Sequence, residues 1–523
     1  MAWGVLDDYK LTKVPGTTLF NKEGVDLADG VEVDPDVKKS GSIILIPQPS
    51  DSVNNPLNWS STRKNVIIWI LSIASGLTVS LGPMVTPGFG EVAATYHVSF
   101  NAVSIALVGV LTLVTGTFTF FTSAAATVWG KRPMFIISLV VLLITSVWGF
   151  YATSLVSLTV MRAIQGAASA PVETLVTSTV SDIFFVHQRG QKLAVWGLAI
   201  LTGALLGQVI SGVIIETMGF SASFGITSLC YIVIIPLVYF FVPETSYQRK
   251  TLEHTHISEK ESTMEIETQE IESKKTFVET LSLYNGRVSD AGFWKTAIKP
   301  IPLIVYPAVI VSTFVYASFQ TWLISFSLLS VNIFSAPPYN LSSSQIGLTN
   351  LPQFFMGIAA TMLAGWTADK IAAFMSRHNN GVYEPEFRLT LMIPAVILST
   401  IGFFGFGISV ERGLPIYWPV AFMTINSLAV PFATSASFTY VIDCHPKDAN
   451  QAFVTINFVK AIMVFVSSSF INGWLETAGA KSVFIIIGLI NAGICMLAVP
   501  IYVYGKRLRS LIARSSWAKK LER

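Results

Sequence analysis

The chain has 523 residues, of which 52% are hydrophobic and only 12% charged, and its mean hydropathy is +0.60. An ordinary soluble protein carries about 25% charged residues, so this composition excludes a string of soluble domains, and with it the disordered, coiled-coil, collagenous and disulfide-rich secreted classes. The 34 basic and 31 acidic residues give a net charge of +3, with no basic patch of the kind that binds nucleic acid.

The apolar excess is enough for many membrane spans of about 20 residues each. Residues 1–64 are polar and read as a cytoplasmic tail, mobile except near Trp59, an interfacial anchor. The first apolar run begins near Val66, so no cleavable signal peptide is expected and the first helix itself acts as the targeting signal. Six apolar segments follow, near 65–86, 102–124, 133–151, 156–180, 193–215 and 223–243, which makes 65–243 a first six-helix bundle. The stretch 244–302 is charged, rich in Glu, Lys, Ser and Thr, and reads as a cytoplasmic central loop. Six more segments lie near 303–330, 346–368, 389–408, 416–441, 452–474 and 483–504, making 303–505 a second bundle before a basic tail over 506–523. The expected fold is therefore an all-α membrane protein with 12 transmembrane helices in two pseudo-symmetric six-helix bundles.

Loop charges set the orientation. With the N-terminus inside, the inner loops hold Lys131, Arg132, Arg189, Lys192, Lys370, Arg377, Arg388 and Lys447, and the outer loops only Arg412 and Lys481. The excess of Lys and Arg places both termini and the central loop in the cytoplasm. Asn340-Leu341-Ser342 then lies in an outer loop as a glycosylation acceptor, while Asn58-Trp59-Ser60 has the same pattern on the wrong side. Cys230, Cys444 and Cys495 have neither metal spacing nor a disulfide framework. The six histidines fall in loops or at helix ends, so neither a metal nor another cofactor is expected.

The two halves echo one another. After span 2 the chain reads SAAATVWGKRP, and after span 8 GWTADK, both in the equivalent inner loop. These two loops resemble the G-x-L-A-D-R-x-G-R-R motif of the major facilitator superfamily, with Thr127 in place of the acid in the first copy and Asp369 kept in the second. Arg162, Gln165 and Gly166 match the R-x-x-Q-G motif of that family's fourth helix. Gly203, Gly207 and Gly212 resemble the antiporter motif of its fifth helix, where Gln208 replaces the motif's proline and Ser211 a glycine. The stretches IILIPQPSDSVNNPLNWS, SDIFFVHQRG, FVPETSYQR, NNGVYEPEFRL and YGKRLR are similar to the fungal drug:proton antiporter group, in the branch that includes polyamine transporters. The resemblance implies alternating access by two bundles around a central site, coupled to protons.

Ionisable groups at membrane depth are costly and face protein or water, which makes each a functional candidate. Glu173 lies eleven residues beyond Arg162 in span 4, roughly 16 Å further along the helix. Lys460 in span 11 falls at a similar depth, in the cytoplasmic half. Two readings stand side by side: Glu173 and Lys460 pair across the inner gate and separate when it opens, or each is paired within its own half. A carboxylate whose cationic partner comes and goes changes its proton affinity, so Glu173 is the expected proton-coupling group, with Arg162, by the family motif, its conformational or relay partner. Lys131, Arg132, Asp182, Arg189, Asp369 and Asp443 are expected at the inner gate.

Tyr316, Phe319 and Gln320 of span 7, Asn350 and Gln353 of span 8, Asn426 of span 10 and Asn457 of span 11 are the candidate cavity residues. Aromatic faces and Glu173 favour a cation, whereas Lys460 favours an anion. The small-residue stripes of Gly203, Gly207 and Ser211, and of Gly357, Thr361 and Gly365, allow close helix crossing, either as a sliding surface between halves or as packing within one. No Walker sequence or nucleophile elbow is present, so an ATP-driven pump is not expected, nor is an enzyme. The expected function is proton-coupled transport of small organic compounds by a monomer in the plasma membrane, or alternatively the vacuolar membrane, with efflux of drugs, toxins or secondary metabolites first and polyamine uptake as the alternative. A non-transporting membrane sensor is the alternative of another class. The expected partners are a small-molecule substrate, protons and the lipid bilayer.

Overall fold

In the hydrocarbon layer a backbone amide finds no water, so a spanning segment satisfies its own N–H and C=O groups as a helix. The computed structural model describes residues 3–8, 10–11, 14–19, 39–40, 43–44, 49–50, 52–247, 276–284, 286–445 and 448–515. Lys447 and residues 248–275 of the central loop lie outside the described residues. Among the described residues, ten stretches are long and apolar enough to cross a membrane. One of these, Ala449–Arg514, is 66 residues long and folds back on itself at Gly479, so it makes two crossings. The remaining helix, Leu155–Ile183, has 29 residues in which Arg162, Glu173 and Asp182 dilute the apolar run.

The twelve helices are α1 (Ser61–Ser80), α2 (Val110–Trp129), α3 (Lys131–Tyr151), α4 (Leu155–Ile183), α5 (Val186–Met218) and α6 (Phe220–Phe241) in the first half. In the second half they are α7 (Pro307–Ser335), α8 (Leu351–Arg377), α9 (Met392–Glu411), α10 (Tyr417–Cys444), α11 (449–478) and α12 (480–514). The first described residues lie against the end of α12, with Trp3 bonded to Tyr502 and Asp7 to Arg507, at what is called here the near end. The helix starts are capped as the sequence dictates: Ser60 accepts from the Arg63 N–H and Ser154 from the Ser157 N–H.

The duplication is visible in backbone geometry. Gly219 joins α5 to α6 and Gly479 joins α11 to α12, each as a single residue outside the helix, with φ/ψ of 86/164° and 73/159°. A side chain is disfavoured in that left-handed region, which is why both are glycine. Pro171 of α4 and Pro431 of α10 stand inside the corresponding helices, and each pair is 260 residues apart.

Close packing settles the small-residue stripes residue by residue. A Cβ on Gly203 would lie 1.9 Å from the Gly76 carbonyl oxygen, and one on Gly207 would lie 2.8 Å from Ser80, so these two pack α5 on α1 within one bundle. A Cβ on Gly212 would instead lie 2.6 Å from the Ser343 carbonyl oxygen, and one on Gly357 3.2 Å from Leu201, both across the two bundles. Gly365 is exposed, and a Cβ there would have nothing within 4 Å, so the near-end part of the second stripe is not a packing contact. Ile137, Ile144, Leu229, Val233, Met362, Ile393 and Leu489 are exposed around the belt, where lipid covers them.

The mobile N-terminal tail expected from sequence is corrected at its first residues. Thr18–Leu19 pairs as an antiparallel strand with Val382–Tyr383 in the α8–α9 connection, and Val5 and Val14 are buried. The end of the central loop is docked too: Val288 N–H donates to the Val128 carbonyl at 2.8 Å, and Phe293 stacks on Trp129 at 5.3 Å.

Gly203→Leu forces α1 and α5 apart. It is expected to destabilise by more than the ~1–3 kcal/mol typical of overpacking and to lower the thermal unfolding midpoint of the purified protein, whereas Gly365→Ala leaves it unchanged.

Candidate functional site between the bundles

The two bundles meet most tightly toward the far end. Asn101 of the first bundle accepts from the backbone N–H groups of Asn472 (3.1 Å) and Gly473 (3.2 Å), and Asn472 Nδ2 donates to Ser104 Oγ at 2.9 Å. Ser343 Oγ donates to the Pro87 carbonyl at 3.0 Å, and Glu216 accepts from the Ser344 N–H at 2.8 Å. Gln208, the residue in place of the antiporter motif's proline, is a hub. Its Oε1 accepts from Thr86 at 3.1 Å, Ser327 at 2.9 Å and Asn350 at 3.4 Å. Asn350 Oδ1 in turn takes Gln353 Nε2 at 3.2 Å, and Gln353 Oε1 takes the Ser427 hydroxyl at 2.8 Å. The seam then runs inward along α2 and α11. A Cβ on Gly109 would meet Ser468 Oγ at 2.4 Å, one on Gly116 would meet Ala461 Cβ at 2.3 Å, and Phe120 meets Phe458 edge to face at 5.1 Å.

Glu173 and Lys460 occupy this seam from opposite bundles. Lys460 precedes Ala461, the residue against Gly116, and the Lys460 charge acts on the Glu173 carboxylate. Both side chains are half-buried, and no direct ion pair joins them among the described residues. Arg162 is placed elsewhere: fully buried inside the first bundle, it donates to the Leu81 carbonyl at 2.9 Å and to Gln165 at 2.6 Å, and it lies 4.8 Å from the Phe224 ring centre. Its Nε and Nη2 meet no acceptor among the described residues. Tyr231 of α6 is the link the sequence reading missed. Its hydroxyl is 3.3 Å from Thr78 Oγ1, and the charges of both Glu173 and Arg162 reach it. A lone tyrosine in an apolar run carries no sequence signal.

The candidate cavity residues separate into two groups. Phe319 is packed inside the second bundle, Asn426 is buried against Gly402, and Asn350 and Gln353 are consumed in the Gln208 network. Tyr316, Gln320 and Asn457 remain half-buried. The Tyr316 ring lies 4.7 Å from Phe438, which lies 4.7 Å from Phe453. Asn340, the glycosylation candidate, is exposed at the far end with φ of 47°.

At the near end the acid–base groups sort by bundle. Lys131 pairs with Asp182. Arg189 donates to the carbonyls of Phe184 (3.1 Å) and Ser181 (2.8 Å), closing the α4–α5 turn. Glu244 accepts from the backbone N–H groups of Lys131 (3.1 Å) and Arg132 (3.0 Å), a carboxylate on the positive end of α3. Arg132 itself is buried and bonds the carbonyls of Tyr239, Thr280 and Leu281, so it fastens the central loop. In the second bundle Arg388 bridges Asp369 at 3.3 Å and Asp443 at 3.4 Å, and Tyr383 donates to Asp443. Burial and the adjacent Asp443 carboxylate push the Tyr383 phenol well up. Below them Arg509 grips Glu386 with two nitrogens at 3.0 and 2.7 Å and Glu384 at 3.0 Å, and Lys506 pairs with Glu384 at 2.7 Å. Glu384, Glu386 and Arg509 are buried, and a pair this deep persists only with its hydrogen bonds met. Sequence reading marked both stretches, YEPEFRL and YGKRLR, yet did not pair them, because 123 residues separate Glu386 from Arg509. His445, at the end of α10, stacks on Tyr306 at 4.7 Å, and burial drives its imidazole down to about 4.

Comparison with known proteins agrees with this architecture. The model of the Major Facilitator Superfamily matches residues 68–468. The chain is 25% identical to protein HOL1 of Saccharomyces cerevisiae over 95% of each chain. It is 21% identical to the MFS antiporter QDR3 of Candida albicans, covering 89% of this chain and 80% of that one. A solved D-xylose-proton symporter superposes with a TM-score of 0.61 at 15% identity, covering 85% of this chain and 99% of that one.

Gln208→Leu leaves the Ser327 hydroxyl and one N–H of the Asn350 amide short of an acceptor, while Thr86 keeps the Pro83 carbonyl at 2.8 Å. It is expected to cost about 1–3 kcal/mol, read as a lower unfolding midpoint. His445 gives a pH signature. Its folded value lies below the ordinary 6.5, so the unfolded chain binds more protons between about 6.5 and 4. Stability is therefore full above that window and falls as pH drops through it. His445→Phe keeps a ring against Tyr306 and is expected to flatten the pH dependence of the unfolding midpoint in that window.

Proposed function

Because this chain belongs to the major facilitator superfamily and is a multi-pass membrane transporter, we propose that it is a proton-coupled carrier that exports small organic compounds, drugs, toxins or secondary metabolites, from the cytoplasm by alternating access. The observation that carries this reading is that Glu173 and Lys460 belong to opposite bundles, are both half-buried, and interact electrostatically. A carboxylate near a mobile cation loses its proton readily, and one left alone in a buried site keeps it. Rocking of the bundles that changes this spacing therefore loads and unloads a proton at Glu173. Arg162 acts at second hand, by holding the end of α1 to α4 through the Leu81 carbonyl. Lys131, Asp182, Arg189, Asp369, Arg388 and Asp443 form the inner gate, each paired within its own bundle while the far end is shut.

The near end is the cytoplasmic side, since it carries Lys131, Arg132, Arg189, Lys192, Lys370, Arg377 and Arg388 against Arg412 and Lys481 at the other. The relative named an antiporter supports an exchange mechanism, and the structural neighbour named a proton symporter supports proton coupling in this fold. The membrane is the plasma membrane and the unit a monomer. Uptake of polyamines or related cations is the second reading, favoured by one observation: Tyr316, Phe438 and Phe453 form a chain of tilted ring contacts on the second bundle, and aromatic faces with a carboxylate suit an organic cation.

The test is flux in proteoliposomes under an imposed pH gradient, with labelled spermidine and a panel of hydrophobic drugs. Wild-type flux is expected to follow the gradient, and Glu173→Gln is expected to lose at least about tenfold of it, the scale of a missing proton-transfer group. An unchanged rate and pH dependence in Glu173→Gln overturns the coupling assignment. Spermidine accumulation driven by the gradient replaces export with uptake.

A further inference from the structure

The N-terminal residues do more than leave the membrane. Trp3 lies 5.9 Å from the Phe374 ring and 6.2 Å from His378, and its carbonyl accepts from the Tyr502 hydroxyl at 2.8 Å. The Leu6 N–H donates to the Val503 carbonyl at 3.0 Å. Asp7 pairs with Lys506 at 3.2 Å, and its carbonyl accepts from Arg507 at 3.1 Å. Val5 is wholly buried with Ala372, Met375, Tyr383 and Phe387. Arg509 bonds the Pro15 carbonyl as well as its two glutamates.

The next three residues each touch the gate region. Gly16 has φ of +84°, and a Cβ there would lie 2.7 Å from the Asp443 carbonyl and 3.1 Å from Arg509. Thr17 Oγ1 donates to Glu384 at 2.7 Å. Thr18 pairs by backbone with Tyr383, whose hydroxyl donates to Asp443 and accepts from Arg388 at 2.9 Å.

We propose that this segment, through residues 3–8 and 14–19, is a peptide ligand carried by the chain itself for the near-end face of the second bundle, and that its docking positions Tyr383 and Asp443. The fit is chemical as well as steric. Lys506 and Arg509 balance Glu384 and Glu386, and the segment fills the donors left over, with the Asp7 carboxylate for Lys506 and the Pro15 carbonyl for Arg509. It also covers the cluster, and a charge group of this kind is held only when its hydrogen bonds are met out of water. The strand at Thr18 and the contact at Gly16 then fix the backbone on both sides of the Tyr383–Asp443 bond. The positioning role rests on reading Arg388 and Asp443 as part of the inner gate.

The experiment uses the full chain in lipid nanodiscs, with hydrogen exchange read by mass spectrometry and N-ethylmaleimide labelling of the native Cys444, which is buried beside Asp443. Residues 3–19 and 382–388 are expected to be protected in the wild type. Gly16→Val, outside every span, is expected to release the segment, to raise exchange at 382–388 by about tenfold, as local opening does, and to expose Cys444 to the reagent. Asp7→Lys is a second route to the same result. Arg388→Ala is expected to raise Cys444 labelling with residues 3–19 still protected. If it does not, the gate reading fails while the docking remains readable. Exchange of residues 3–19 at the rate of a free peptide in the wild type overturns the proposal. So does release in both variants with 382–388 and Cys444 unchanged.

Discussion

Lipid supplies no hydrogen-bond partner and little dielectric screening, and this one constraint organises the whole chain. It makes each crossing a helix, and it makes each charge at depth either paired, water-facing or costly. The apolar belt needs no further explanation, so what carries information is the short list of exceptions. Glu173 and Lys460 lie on the seam between bundles, and Arg162 is enclosed among Leu81, Gln165 and Phe224. Apart from Glu216, Arg412 and Lys481 at the far end, the other acids and bases described here gather at the near end, where two separate groups form, one per bundle.

The far-end contacts differ in kind from the near-end ones. Apart from the Glu216 carboxylate on the Ser344 N–H, they are made by amides, hydroxyls and glycine backbones: Asn101 with Asn472, Gln208 with Ser327 and Asn350, Gly212 with Ser343. Neutral groups of this kind exchange partners with little desolvation cost compared with ion pairs. The near-end pairs, Lys131–Asp182 and Arg388–Asp443, are charged and lie within a bundle, so they hold each bundle rigid as the seam changes.

Much of this was legible in the sequence because it follows from local composition. The twelve apolar segments, the charge asymmetry of the loops and the family motifs each need only a window of residues. Gln208 was marked only as a departure from a motif; its role as acceptor for three donors emerges once α1, α7 and α8 surround it. The Glu386–Arg509 pair, the burial of Phe319 and the docking of residues 3–19 were not legible, since each depends on chain segments far apart in sequence. The Gly203 stripe left two packings open, and only the Gly76 carbonyl decides between them. The central loop was read as a charged stretch rich in Glu, Lys, Ser and Thr, and within it Phe293 finds a flat partner in Trp129.

The one-residue turns at Gly219 and Gly479 have a consequence for how the far face presents itself. Two of its connections have no loop at all, and the longest irregular run there is 336–342. A surface made of helix ends offers almost no continuous peptide to an antibody. A reagent that recognises the protein from that side must read a folded, composite epitope, and it will therefore report the relative position of the two bundles rather than the mere presence of the chain.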